Sequence, residues 1–138
     1  MNIIVFGGDG FCGWPTSLYL SDQGHDVTIV DNLSRRKIDL DLGTNSLTPI
    51  SSIQQRIKTW NNLSKNKISF LNTDISTDYE VLKKILLEKK PNAVIHFAEQ
   101  RSAPYSMISS KEKRYTINNN INATSNLLNG VLEVDKSI

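Results

Sequence analysis

The sequence has a single cysteine, Cys12, which excludes an internal disulfide and any zinc site built on paired cysteines. Its apolar runs are too short to cross a bilayer, so we expect no membrane insertion. The 16 basic and 14 acidic residues give a formal net charge of only +2. Basic residues are not interleaved with aromatic ones, so nucleic acid is not expected as a partner. No targeting segment precedes the first apolar run, and we expect a cytoplasmic protein.

Four short apolar segments have the pattern of strands buried on both faces, at residues 3–6, 27–31, 68–71 and 93–97. Helices are predicted at 11–23, in the second half of an insert at 32–66, and from Val81 to Leu86. A last helix carries Tyr115, Ile121, Leu127, Leu128 and Val131 as its apolar residues. Candidate capping boxes are Ser51 with Gln54 and Ser109 with Glu112.

This order predicts one α/β domain over residues 1–138, with a Rossmann-type doubly wound parallel sheet. The sheet is incomplete, with about four strands, and a long insert follows the second strand. The fourth strand would leave an apolar edge open. We therefore expect the isolated chain to be marginally stable or oligomeric.

Gly7, Gly10 and Gly13 lie between the first strand and the first helix, in the spacing of a dinucleotide-binding loop. Such glycines allow a tight turn, close approach of a pyrophosphate and close packing of helix on strand. Asp31 follows Gly13 by 18 residues, at the end of the second strand. A carboxylate there accepts hydrogen bonds from a ribose 2′-OH, which favours NAD over NADP. Arg35 and Arg36 leave the choice open, since arginines could also accommodate a 2′-phosphate, pair with the pyrophosphate or stack on adenine.

Four longer motifs are more specific than the glycines. They are GGDGFCGW at 7–14, DNLSRR at 31–36, SLTPI at 46–50 and HFAEQRSAPYSMI at 96–108. From Met1 to about Leu128 the sequence resembles the UDP-sulfoquinovose synthases, a branch of the extended short-chain dehydrogenase/reductase (NAD-dependent epimerase/dehydratase) family. The motif at 96–108 distinguishes this branch from the general epimerases.

The resemblance implies an enzyme that converts UDP-glucose and sulfite to UDP-sulfoquinovose. Bound NAD would oxidise carbon 4 of the sugar, water would leave across carbons 5 and 6, sulfite would add at carbon 6, and the hydride would return. The resemblance also implies a homodimeric full-length enzyme, sulfolipid biosynthesis as the setting, and classification among the hydrolases.

The resemblance assigns roles to individual residues. Phe11 and Cys12 would contact the pyrophosphate through the backbone, and Asp74 with Ile75 would lie at the adenine edge. Gln100 and Arg101 would contact the substrate. The remaining cofactor contacts implied are Asp31, Asn32, Arg35 and Arg36 on the adenosine side, Phe97, Ala98 and Glu99 at the nicotinamide ribose, and Asn119 in the last helix.

The catalytic Tyr-x-x-x-Lys pair of such enzymes, with its Ser or Thr, is expected beyond this sequence, so no catalytic residue is assigned. Tyr79 with Lys83 is a formal match, but it lies between the third and fourth strands, and we interpret it as a surface helical pair. Two alternatives stay open. The chain could belong to a UDP-sugar 4-epimerase or dehydratase, or it could be a non-catalytic NAD-binding module.

Other reactive side chains have simpler interpretations. Cys12 is expected to be a small packing residue, and His96 an interior, hydrogen-bonded histidine. Trp14 and Trp60 are expected to pack in the core or against the insert. No metal site is predicted, because Asp39 and Asp41 have no third ligand nearby in the sequence.

Overall fold

Four parallel strands form one sheet in the computed structural model, which describes residues 1–101 and 103–138. They are β1 (Asn2–Phe6), β2 (Asp26–Asp31), β3 (Ile68–Asn72) and β4 (Ala93–His96), in the order β3-β2-β1-β4. Phe6 is paired with Val30 of β2 and with His96 of β4, so the strands end together at one edge. This arrangement confirms the predicted α/β, Rossmann-type fold.

Helices cover both faces of the sheet, since each strand is apolar on both sides. They are α1 (Gly13–Asp22), α2 (Ser34–Asp41), α3 (Ile53–Leu63), α4 (Tyr79–Lys89) and α5 (Ser110–Val134), with a 3₁₀ turn at Tyr105–Met107. On one face, Phe6 and Ile4 pack with residues of α4 and α5 such as Leu82 and Leu127. On the other face, Val5 and its neighbours pack with Ile53 of α3 and with half-buried residues of α1.

The insert at residues 32–66 contains two helices, of which only α3 was predicted. Helix α2 has no buried residue, and it follows Leu33, whose φ of 57° is left-handed. Ser52 caps α3 by accepting a hydrogen bond of 3.2 Å from the backbone N–H of Gln55. The predicted capping box of Ser51 and Gln54 is therefore wrong by one residue.

Helix α5 buries only part of the apolar set that its sequence carries. Of the apolar residues named from the sequence, Ile121 and Leu128 are 62% and 61% exposed, whereas Leu127 is buried. Its inner face contains small and polar residues, and at Gly130 this face lies against Leu82 and Leu86 of α4. The buried residues of α5 are Thr116, Asn119, Ala123, Leu127 and Gly130.

The start of α5 agrees with the sequence. Ser109 is its N-cap, and the Ser109 hydroxyl accepts from the backbone N–H of Lys111 at 3.1 Å and contacts the Glu112 carboxylate. None of the helices in the described part of the chain is long and apolar enough to cross a membrane.

Candidate functional site

A cavity of about 380 Å³ lies at the carboxyl ends of the strands, where the sheet order changes direction between β1 and β4. Ligands of open α/β sheets bind in this crevice. Its walls bring together nearly all the residues predicted for the site. They are Gly7, Gly10, Phe11, Cys12, Gly13, Asp31, Asn32, Arg35, Asp74, Ile75, Phe97, Ala98, Glu99, Gln100, Arg101 and Asn119.

The glycine loop, residues 7–13, can be formed only with glycine at its two ends. Gly7 has a φ of +78°, and a Cβ there would lie 2.4 Å from the carbonyl carbon of Phe97. A Cβ at Gly13 would lie 2.2 Å from the carbonyl oxygen of Gly7. These approaches bring the N-terminus of α1 against the end of β1, as a dinucleotide pyrophosphate requires.

Between these glycines Asp9, Gly10, Phe11 and Cys12 line the cavity. The Phe11 side chain is 84% exposed. Cys12 is also exposed, so its prediction as a packing residue is wrong. Both residues line the cavity at the start of α1, where helix N–H groups lack intrahelical acceptors.

Asp31 is held by two backbone N–H groups at the end of β2. Its Oδ2 accepts from Asp9 at 2.9 Å, and its Oδ1 accepts from Leu33 at 2.7 Å. Burial raises the pKa of the Asp31 carboxyl, and the two hydrogen bonds oppose that rise. The ionised carboxylate is therefore desolvated and fixed in direction, which suits it to accept hydroxyl donors from a ligand.

The neighbouring polar side chains link the ends of β2 and β3. Asn32 donates from Nδ2 to Oδ2 of Asp74 at 2.9 Å and accepts at Oδ1 from the Ser34 N–H at 2.9 Å. The other carboxylate oxygen of Asp74 accepts from the N–H and the hydroxyl of Ser76. The predicted adenosine-side and adenine-edge residues thus form one connected wall.

The two adjacent arginines take different directions. Arg35 lines the cavity, and its buried Nε has no hydrogen-bond partner among the described residues. Arg36 is the one predicted site residue that the structure does not bring to the cavity wall. Its Nε donates instead to Oδ2 of Asp9 at 2.7 Å.

His96 ends β4 within a small hydrogen-bonded group, as expected from the sequence. Its Nε2 lies 3.0 Å from Oε1 of Glu99 and 3.1 Å from Oγ1 of Thr124. The Thr124 hydroxyl also donates to the same Glu99 oxygen at 2.8 Å. These contacts tie the segment that leaves β4 to helix α5.

The candidate substrate segment is anchored by a residue that the sequence did not single out. The side-chain amide of Asn120 accepts from the N–H of Gln100 at 2.8 Å and donates to its carbonyl at 2.9 Å. Asn119, predicted as a cofactor contact, is buried beside it and donates to its Oδ1 at 3.0 Å. Arg101 is exposed on the cavity wall, and Ser102 of the same motif lies outside the described residues.

Asp9 and Arg56 were also missed by the sequence analysis. The Asp9 carboxylate, only 4% exposed, forms ion pairs with Arg36 and with Arg56 of α3. The sequence signal that could have revealed the pair was an aspartate among the glycines of the loop. Such a carboxylate, when buried, needs a cationic partner.

The formal Tyr-x-x-x-Lys match lies away from the cavity. Lys83 on α4 pairs with Glu133 of α5 at 2.8 Å and lies 5.6 Å from the centroid of the Tyr79 ring. Neither Tyr79 nor Lys83 lines the cavity. Within residues 1–101 and 103–138, no three His, Cys, Asp or Glu side chains are grouped so that they could hold a metal ion.

Comparison with known proteins decides between the families that share this fold. A family model described as GDP-mannose 4,6 dehydratase matches residues 4–137. The chain belongs to the GDP-mannose 4,6-dehydratase family. Membership of this dehydratase family gives no support to the expected classification among the hydrolases.

Two relatives confirm the resemblance seen in the motifs. The chain is 49% identical over 132 residues to the chloroplastic UDP-sulfoquinovose synthase of Spinacia oleracea, covering 96% of this chain and 27% of the relative. It is 43% identical over 138 residues to that of Sulfolobus acidocaldarius, covering all of this chain and 35% of the relative. The chain thus spans about a third or less of the length of these proteins.

Other relatives are UDP-glucose 4-epimerases. That of Neisseria meningitidis is 37% identical over 97 residues, covering 70% of this chain and 24% of the relative. Among solved structures, the epimerase of Stenotrophomonas maltophila, with bound NAD and formylated UDP-arabinopyranose, matches with a TM-score of 0.72. It is 25% identical, with 97% of this chain and 34% of that chain covered.

Proposed function

We propose that this chain is the NAD-binding part of an enzyme that converts UDP-glucose and sulfite to UDP-sulfoquinovose. The observation that carries the proposal is the cavity in which the glycine loop, Asp31 and the Phe97-to-Arg101 segment meet. The identities of 49% and 43% to two UDP-sulfoquinovose synthases support this choice of reaction. Sulfolipid biosynthesis is the proposed setting.

The residues fit a dinucleotide that runs across the ends of the strands. The start of α1 would receive the pyrophosphate, since its free N–H groups and dipole attract anions. Asp31 would accept the hydroxyls of the adenosine ribose, and Arg35, which lines the same cavity, would place a positive charge on that side of the ligand. When bound, NAD supplies reversible hydride transfer at carbon 4 of the sugar.

The segment from Phe97 to Arg101 would bring the sugar nucleotide to the other end of the cavity. The fork of the Arg101 guanidinium suits a diphosphate, a sugar hydroxyl or sulfite. The acid–base residues, a Ser or Thr and a Tyr-x-x-x-Lys pair, would be supplied by a part of the enzyme outside this sequence. The chain alone would therefore bind NAD and have no turnover.

Calorimetric titration of the chain with NAD⁺ and NADP⁺ tests the cofactor assignment. We expect selective binding of NAD⁺, because the Asp31 carboxylate accepts the 2′-OH and repels a 2′-phosphate. In the variant Asp31→Ala, NAD⁺ affinity should fall by about tenfold to a hundredfold, as expected for loss of hydrogen bonds to a charged group. Equal affinity for both cofactors, or none for either, would contradict the assignment.

A UDP-glucose 4-epimerase is the second candidate, favoured by the match to the Neisseria meningitidis enzyme and by the epimerase structures. The two reactions differ in their need for sulfite. The enzyme that contains this chain should convert UDP-glucose only when sulfite is present. Formation of UDP-galactose without sulfite would favour the epimerase.

A homodimer and a cytoplasmic location complete the proposal. The relative from Spinacia oleracea is chloroplastic. At least one similar protein therefore lies in another compartment than the cytoplasm expected for this chain. Sedimentation of the full-length enzyme tests the dimer, and cell fractionation tests the location.

An in-frame Tyr-x-x-x-Lys in the adjoining coding sequence would support the enzyme over a non-catalytic NAD-binding module.

A further inference from the structure

Asp9 puts a negative charge inside the loop that is proposed to receive an anion. The dinucleotide fingerprint needs only its glycines for the tight turn and the close approach of the pyrophosphate, so it does not explain an acid here. The Asp9 side chain is only 4% exposed, and Asp9 is one of the residues that line the cavity. A buried carboxylate is costly unless it is paired, and here it also repels the ligand proposed for the cavity.

Two arginines from the insert neutralise this carboxylate. Arg36, on α2, donates from Nε to Oδ2 of Asp9 at 2.7 Å and from Nη2 to the Asp9 carbonyl at 3.2 Å. Arg56, on α3, contacts the other carboxylate oxygen through its Nη2. The glycine loop and both helices of the insert are therefore joined at one buried charge.

Arg56 is fixed on three sides. Besides its ion pair with Asp9, its guanidinium lies 4.5 Å from the centroid of the Trp14 ring, in a cation–π arrangement. Its Nε donates to the carbonyl of Ser51 at 3.1 Å. The side chain is 15% exposed and does not line the cavity, so Arg56 would not touch a bound dinucleotide.

The backbone of Asp9 contacts Asp31 directly. The Asp9 N–H donates to Oδ2 of Asp31 at 2.9 Å, so the position of the loop sets the direction of the carboxylate proposed to select the ribose. Resting on the proposed NAD-binding function, we propose that Arg56 is a positioning residue for cofactor selection. Through Asp9 it holds the glycine loop so that Asp31 faces the 2′ position, and the insert thereby sets the preference for NAD over NADP.

Removal of Arg56 should change the preference for NAD⁺ over NADP⁺ as well as the affinity for NAD⁺. With only Arg36 left, Oδ1 of the buried Asp9 carboxylate loses its ion-pair partner, and the loop shifts to reach solvent or a new donor. Asp31 then loses the Asp9 hydrogen bond that directs it. The carboxylate is less well placed both to accept a 2′-OH and to repel a 2′-phosphate, so NAD⁺ binding weakens more than NADP⁺ binding.

The test is titration of NAD⁺ and NADP⁺ into the chain carrying Arg56→Met, Arg56→Lys or Asp9→Asn. We expect Arg56→Met to weaken NAD⁺ binding by about twofold to thirtyfold, the range seen for residues that act without touching the ligand. NADP⁺ binding should fall less, and Arg56→Lys should recover much of the selectivity by restoring the charge. Lys58→Met, on an exposed position of the same helix, is the matched control and should change neither. An unchanged ratio of NAD⁺ to NADP⁺ affinity in Arg56→Met would overturn the inference.

Amide hydrogen exchange without cofactor separates this inference from the proposed function. The Asp9 N–H should exchange faster in Arg56→Met than in the unmodified chain, while the amides paired between β2 and β3 keep their protection. If the unmodified chain binds no NAD⁺, the proposed function fails, and the exchange rates still decide whether Arg56 holds the loop. Unchanged exchange at Asp9 would overturn the inference. If Arg56→Met does not fold, Asp9→Asn breaks the same ion pair from the other side, and it should lower the NAD⁺ preference and speed exchange at residue 9.

Discussion

The main-chain N–H of Asp9 donates a hydrogen bond of 2.9 Å to Oδ2 of Asp31, joining the glycine loop to the end of β2. Two opposing effects meet at this carboxylate. Burial raises its pKa, and the hydrogen bonds from Asp9 and Leu33 lower it, with burial the larger effect. The Asp31 carboxyl therefore takes up a proton at a higher pH than an ordinary aspartate.

NAD⁺ binding should consequently weaken in mild acid. The ionised carboxylate is the form that accepts ribose hydroxyls, so affinity is full above the raised pKa of Asp31 and falls as the pH drops through it. The fall should be at most about tenfold per pH unit, since one proton is involved. Titrations across the acid range measure the profile.

The variant Asp31→Asn is the control for this profile. It should bind NAD⁺ more weakly at neutral pH and show a flat response in the same range. A profile that persists in Asp31→Asn would assign the titration to another group.

The folding stability of the free chain should depend on pH in the opposite sense. Because the pKa of Asp31 is raised in the folded chain, the protonated carboxyl adds stability at pH values below the pKa of the unfolded chain. This stability is lost as the pH rises through the pKa of the folded chain.

Gly13→Ala should lower the free energy of unfolding by about 1 to 3 kcal/mol, the usual cost of overpacking. The added methyl group would meet the Gly7 carbonyl oxygen at 2.2 Å, and both partners are backbone. Denaturant unfolding followed by circular dichroism gives the value.

Gly130→Ala is the matched control for this substitution. Its Cβ would lie 3.2 Å from Cδ1 of Leu86, the end of a side chain that can move, and alanine favours the α5 helix by about 1 kcal/mol over glycine. Its unfolding free energy should stay within about 1 kcal/mol of the unmodified chain. Equal losses in the two variants would show that the contact between Gly13 and Gly7 has no special cost.

Asn120→Ala should destabilise the chain by about 1 to 2 kcal/mol, because it removes both hydrogen bonds to the backbone of Gln100. Asn118→Ala, at an exposed position of the same helix, should have no such effect. Thermal melts of the two variants give the comparison, and equal melting temperatures would contradict the role assigned to Asn120.

The open side of β4 predicts self-association of the isolated chain. In residues 1–101 and 103–138, β4 pairs only with β1, so its other side presents unpaired backbone groups. Sedimentation velocity over a range of concentrations should show species larger than a monomer. A monodisperse monomer with a cooperative melt would disprove this.

The strands and the glycine loop could be predicted because their signals are local. The run from Ile3 to Phe6, followed by Gly7, carries its strand, turn and burial information in adjacent residues. Asp31 needed only the end of the next strand to be located. The same holds for the start of α5, where Ser109 precedes a helical pattern.

Features set by distant contacts could not be predicted in the same way. Arg56 and Asp9 are 47 residues apart, and nothing near either residue identifies the other. Helix α2 buries no residue, so it leaves no apolar period in the sequence. Ile121 and Leu128 are apolar but exposed, whereas the small residues Ala123 and Gly130 are buried, and Gly130 lies against Leu82 and Leu86 of α4.

Asn120 gives Gln100 the same two hydrogen bonds that a neighbouring strand would give. A side-chain amide has the donor and acceptor of a peptide group, so one asparagine on a helix can substitute for a strand at a single position. At Gln100 the chain can thus turn toward the cavity with both its N–H and its carbonyl hydrogen-bonded. Gln100 is held by its backbone, which frees its side chain to vary with the ligand while the path of the chain stays constant.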